Sequence, residues 1–133
     1  MANKEQINNL FLTLITDRNL CKHSFLYTIK LALKGGVKTV QLREKGLTTS
    51  ELYSLACELR KITSDFKANF IINDRVDIAL AVGADGVHLG WKSLPFDIVR
   101  KLIGFEKLIG ISTHSRREAL QAQNYGADYI TFG

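Results

Sequence analysis

The stretch Gln41-Leu42-Arg43-Glu44-Lys45-Gly46 ends a largely apolar run, Val37 to Leu42, in a cluster of charge. If Thr39 to Arg43 is extended, a period of two puts Gln41 and Arg43 on one face and Val40 and Leu42 on the other, with Lys45 past the strand end. Arginine offers a planar fork of donors and lysine a mobile point charge, a pair suited to holding phosphate groups. A cationic strand end flanked by apolar residues points to an anionic ligand, against the plainer reading of a solvated strand-to-helix loop.

Other apolar runs end in the same way, at Asp17, at Asn73 and Asp74, at His88, at Ser112 and His114, and at Thr131. Period two pairs Ile71 with Asn73, Gly86 with His88 and Gly110 with Ser112 on matching faces. Arg43, Lys45 and Asn73 can donate to phosphate oxygens, and Asp74 can hold a hard cation such as Mg2+ that bridges them. Each member has a structural alternative. Asp74 could cap a following helix, His88 could be a hydrogen-bonded core histidine, and Ser112 and His114 could be loop or capping residues. Trp91 and Lys92 form either a lid or an exposed loop.

These strand ends need a scaffold that gathers them. Leu10 to Thr16 reads as a first strand buried on both faces. Ser24 then caps a helix through Phe25, Ile29 and Leu33 that stops at Gly35-Gly36. Val37 to Arg43 is the second strand, and Thr48-x-x-Glu51 is a capping-box spacing ahead of Leu52, Leu55, Ala56, Leu59 and Ile62. Phe70 to Ile72 is the third strand, followed by a short helix over Val76 to Val82, and Gly86 to Gly90 the fourth. Ser93-Leu94-Pro95 has the serine cap and early proline of a helix start. Leu108 to Ser112 is the fifth strand, Ser115-x-x-Glu118 opens a helix, and Tyr129 to Gly133 is the sixth strand.

Strands alternating with single helices predict right-handed βαβ units and a parallel sheet. The blocks Gly83-Ala84-Asp85-Gly86-Val87-His88-Leu89-Gly90 and Gly126-Ala127-Asp128-Tyr129-Ile130-Thr131-Phe132-Gly133 repeat one pattern 43 residues apart, a span of two βα units. The expected fold is a TIM (β/α)8 barrel, here truncated to about six strands and five helices. No GxGxxG follows the first strand to favour an open doubly wound sheet. Six strands leave two edges bare, so the chain is either a fragment or a homo-oligomer that covers them.

Composition narrows the function. A length of 133 residues, 46% hydrophobic with one proline, predicts a single domain over 1–133. The net charge of +5 comes without runs of like charge, which argues for a small anionic ligand rather than nucleic acid. Cys21 and Cys57 lack metal-ligand spacing and read as reduced thiols of a cytoplasmic protein. Leu10 to Ile15 is too short an apolar run for a signal peptide or a membrane span.

QLREKG, IINDRVDIALAVGADGVHLG, IGISTHS and GADYITFG, in this order and at these spacings, resemble thiamine phosphate synthases and the related thiazole tautomerases. The resemblance runs from Leu12 onward. It implies a TIM barrel in thiamine biosynthesis, acting on phosphorylated pyrimidine and thiazole substrates with Mg2+. In the synthase, a hydroxymethylpyrimidine pyrophosphate loses pyrophosphate in a dissociative step and a thiazole phosphate nitrogen attacks the cation. The resemblance makes Gln41, Leu42, Arg43, Glu44 and Lys45 the pyrimidine pyrophosphate segment, with Arg43 and Lys45 stabilising the leaving group. It adds Asn73 and Ser112 as substrate contacts and Asp74 as a Mg2+ ligand. His114 matches the acid/base histidine of the tautomerases.

Two departures stand out. Trp91-Lys92-Ser93-Leu94-Pro95 replaces the family's Q-[DE]-D-L-P, so Ser93 stands where a second metal-binding carboxylate is expected, and a neutral hydroxyl is a weak Mg2+ ligand. The family's thiazole phosphate loops, which follow the sixth strand, have no counterpart here. The expectation is a synthase with one substrate's anchors present; the alternatives are a tautomerase using His114 or a non-catalytic phosphate-ligand binder.

Overall fold

The computed structural model describes residues 2–133. The elements run in order α1 (Lys4–Asn9), β1 (Thr13–Ile15), α2 (Phe25–Lys34), β2 (Thr39–Leu42), α3 (Thr49–Asp65), β3 (Asn69–Asn73), α4 (Val76–Val82), β4 (Gly86–Leu89), α5 (Phe96–Ile103), β5 (Leu108–Thr113), α6 (Arg116–Tyr125) and β6 (Tyr129–Phe132), with a 3-10 turn at Arg18–Leu20. The six strands pair in chain order as one parallel sheet, each joined to the next by a helix. The sheet curls into an arc of an α/β barrel, as the βαβ alternation predicts.

The period of two sets the two faces of that arc. Val40, Leu42, Phe70, Ile72, Val87, Leu89 and Ile109 face the helices and form the core with Ile29, Leu52, Leu59 and Val99. The alternate positions Thr39, Gln41, Asn69, Ile71, His88 and Leu108 are also buried and line the inner face. Both faces being covered explains why the strands read as near-continuous apolar runs. The inner face is closed below by α1, whose Asn3 and Gln6 form a capping box. Its carbonyls accept from the inward polar pair, Asn69 Nδ2 to Gln6 at 2.8 Å and Thr39 Oγ1 to Asn9 at 2.8 Å.

The internal repeat is a structural clamp used twice. Gly83 and Gly126 end α4 and α6 in the left-handed conformation, which glycine adopts without a Cβ clash. The aspartate two residues on reaches the neighbouring strand. Asp85 Oδ2 accepts from the Phe70 amide at 2.7 Å and from Arg60 at 2.9 Å, and Asp128 Oδ2 accepts from the Ile109 amide at 2.8 Å and from Arg100 at 3.0 Å. Each carboxylate thus satisfies the amide of the second residue of the preceding strand and ties it to the helix before it. Gly110 serves packing instead: a Cβ there would sit 2.1 Å from the Tyr129 ring, so its absence lets that ring lie across the inner face.

Several sequence expectations need correction. The first strand is Thr13–Ile15, not Leu10 to Thr16, because Leu10 is taken up as the C-cap of α1 and Phe11 is 99% exposed. Nor is it buried on both faces: β1 pairs only with β2, and Ile15 is 49% exposed at that edge. Beyond the five helices between strands, α1 is a sixth. Ser24 precedes α2 but its side chain makes no capping bond. The cap position of α5 is Pro95, and Ser93 Oγ turns back to accept from the Gly90 amide at 2.9 Å. The Thr48–Glu51 capping box and the Ser115 N-cap form as read.

Candidate active site

Strand β2 stops at Leu42, and the charged residues after it turn in different directions. Leu42 is 1% exposed, and its side chain packs in the helix-facing core. Glu44 turns to the end of the neighbouring strand β1 and does not line the cavity that opens at the carboxyl ends of the strands: its carboxylate accepts from Thr16 Oγ1 at 2.7 Å and from the Arg18 amide at 2.9 Å, with the Arg18 guanidinium 3.5 Å away. Thr16 Oγ1 in turn accepts from the Arg43 amide at 3.0 Å. Glu44 therefore anchors, through Thr16, the backbone that presents Arg43. Gln41 is buried on the inner face and lies below the strand ends.

A cavity of about 750 Å³ opens at the carboxyl ends of the strands and gathers Arg43, Lys45, Asn73, Asp74, Ser93, Ser112 and His114. Period two and the parallel register deliver these side chains to the same end of the sheet. Arg43 and Lys45 are exposed and have no ion pair among the described residues. Asp74 sits at φ +64°, a left-handed conformation that aspartate tolerates better than most residues. Its amide donates to the His88 carbonyl at 2.8 Å, and its carboxylate makes no hydrogen bond among the described residues. The cap of α4 is Arg75, so the capping role open to Asp74 in sequence is not used.

Beneath the cavity lies a polar network on the inner face. His88 is 4% exposed; its Nε2 is 2.8 Å from Ser112 Oγ and its Nδ1 3.1 Å from the Tyr129 hydroxyl. Thr131 Oγ1 joins at 3.4 Å from Ser112 Oγ. Burial pushes the imidazole down to about 4, so the ring is neutral and donates at one nitrogen while accepting at the other. Burial, with a push from the Asp128 carboxylate, raises the Tyr129 phenol. His88 is thus the hydrogen-bonded histidine of the structural alternative, and it orients the Ser112 hydroxyl.

His114 is exposed at the rim, where its amide donates to Glu118 at 2.6 Å and its Nδ1 contacts the Gly133 carbonyl. The sequence left Trp91 and Lys92 undecided; both line the cavity beside Ser93. Glu118, Gln121 and Tyr125 of α6 complete the wall and had no signal beyond the helical period. Among the described residues no group of three His, Cys, Asp or Glu side chains could hold a metal ion by itself. Asp74 with a ligand's own oxygens could, because Mg2+ is commonly held by one or two carboxylates plus phosphate and water. No helix among the described residues is long and apolar enough to cross a membrane.

The family described as thiamine monophosphate synthase matches residues 12–133. The thiamine-phosphate synthase of Clostridium acetobutylicum is 50% identical over 123 residues, which are 92% of this chain and 58% of that protein. That of Clostridium tetani is 47% identical over 92% of this chain and 59% of its own length. The structure of a thiamine phosphate pyrophosphorylase from Pyrococcus furiosus superposes with a TM-score of 0.89 at 41% identity, covering 96% of this chain and 61% of that one. The chain spans about three fifths of the length of these relatives.

Proposed function

Because the chain belongs to the thiamine monophosphate synthase family, we propose that its 133 residues form one domain that does the work of a thiamine phosphate synthase. That work is transfer of a hydroxymethylpyrimidine from its pyrophosphate ester to a thiazole phosphate, with release of pyrophosphate. The observation that carries the reading is the pair of cations, Arg43 and Lys45, without an ion pair among the described residues and lining a cavity that also holds Asn73, Asp74 and Ser112. An unpaired guanidinium and ammonium aimed at one space are suited to an anion that gains charge as its bond to carbon breaks.

In this reading Arg43 and Lys45 bind the pyrophosphate and stabilise the charge that collects on it in the transition state. The Asn73 amide donates to the same group, and the Ser112 hydroxyl, held by neutral His88, contacts the pyrimidine. Asp74 would hold Mg2+, with Ser93 a poor second ligand because its oxygen already accepts from Gly90. When bound, the metal supplies further positive charge against the phosphate oxygens. The reaction takes place in the cytoplasm, where Cys21 and Cys57 remain thiols.

Calorimetric titration with hydroxymethylpyrimidine pyrophosphate, with and without Mg2+, tests this. The expected result is binding that Mg2+ strengthens in the wild-type chain but not in D74N, and that R43A weakens by about 1.5–3 kcal/mol, the worth of a hydrogen bond to a charged group. Absence of binding in both conditions refutes the reading.

A further inference from the structure

We infer that Lys92 is an additional phosphate-binding residue of this cavity, held over the Trp91 ring until a pyrophosphate group enters and then transferred to it. The inference rests on the anionic ligand proposed above. Gly90 and Ser93 close a tight turn on each other: the Gly90 amide donates to Ser93 Oγ at 2.9 Å and the Ser93 amide donates to the Gly90 carbonyl at 3.1 Å. Trp91 and Lys92 are the two residues at the tip of that turn, and both line the cavity.

Trp91 is 86% exposed, and the Lys92 ammonium lies 4.9 Å from its ring centroid. That contact is the only partner Lys92 has among the described residues. An exposed cation–π contact is weaker than a charge-assisted hydrogen bond to a phosphate oxygen, so an anion within reach draws the ammonium off the ring. The four-carbon stem of lysine allows that movement without moving the turn.

Charge in the cavity favours the same outcome. Arg43, Lys45 and Lys92 face it together, while its acidic side chains are Asp74 and a Glu118 whose carboxylate already accepts from the His114 amide. No all-protein cage of acidic and imidazole ligands is present among the described residues. Side-chain cations therefore carry a large part of the neutralisation of a multiply charged ligand.

The test uses inorganic pyrophosphate as probe. Trp91 is the sole tryptophan of the chain, so its fluorescence reports the departure of Lys92 directly, and calorimetry gives the affinity in parallel. The wild-type chain should bind pyrophosphate with a change in Trp91 emission. K92M should bind roughly fivefold more weakly, in keeping with a partly exposed charge pair, and show no emission change. R43A should bind more weakly yet keep the emission change. An unchanged affinity or an unchanged emission response in K92M overturns the role of Lys92 while leaving the anion site standing. No pyrophosphate binding by the wild-type chain overturns both.

Discussion

Replacing Asp85 with alanine should lower stability by about 1–4 kcal/mol, and the structure divides that loss into two parts. The larger is the Phe70 amide, which donates to Asp85 at 2.7 Å and belongs to a residue with no solvent exposure. Stranding a buried donor costs roughly 1–3 kcal/mol. The smaller is the ion pair with Arg60, whose side chains are 20% and 26% exposed, so it contributes on the order of 0.2–1 kcal/mol. Urea denaturation measures the total as a midpoint shift of about 0.5–2 M at constant slope. D85N separates the parts, because an amide oxygen can still accept from Phe70 while the charge is lost, and it should cost only about 1 kcal/mol. D128A should behave as D85A does, since Asp128 makes the same two contacts one repeat later. The reasoning is refuted if D85A stays within about 0.5 kcal/mol of wild type, or if D85N is as costly as D85A.

Three further outcomes are expected. His88 has its imidazole pushed down to about 4 from an ordinary value near 6.5. Between those values the unfolded chain binds the proton and the folded chain does not, so stability is full above about pH 6.5 and falls by on the order of 3 kcal/mol as pH drops to about 4. H88N should lack that part of the pH dependence in urea titrations at pH 7 and 4.5; identical profiles would remove the buried neutral imidazole from the account. G110A forces a methyl against the Tyr129 ring and should cost about 1–3 kcal/mol by the same measurement, whereas G110A with Y129L should recover most of it. E44Q should weaken pyrophosphate binding less than R43A does but more than a distant surface change, because Glu44 acts through Thr16 on the Arg43 backbone; an affinity equal to wild type would make the tether purely structural.

The G-A-D echo shows how a feature can be plain in sequence while its purpose is not. Its spacing indicated a repeating βα architecture, but an aspartate at a strand start could have been a turn residue, a cap or a ligand. Only the position of the neighbouring strand brings the Phe70 and Ile109 amides to Asp85 and Asp128. Ser93 shows the same thing in a loop. Followed by leucine and proline it has the composition of a helix cap, yet the closure of the turn onto Gly90 satisfies its oxygen first.

The order of strands and helices, the face each strand turns to the helices, and the gathering of Arg43, Lys45, Asn73, Asp74 and Ser112 at one end of the sheet were determined by the sequence alone. They follow from local rules: a period of two in strands, a period near 3.6 in helices, and the single hand of βαβ crossovers. Tertiary structure decided which charged residues remain available to a ligand. Glu44 and Arg43 are adjacent in the chain and equally polar, but Thr16 and Arg18, more than 25 residues away, capture the carboxylate, while the Arg43 guanidinium has no ion pair among the described residues. His88 became a neutral bridge between Ser112 and Tyr129, and Gly110 a seat for the Tyr129 ring, by the same means, since burial and hydrogen-bond partners across strands depend on contacts that no local pattern encodes.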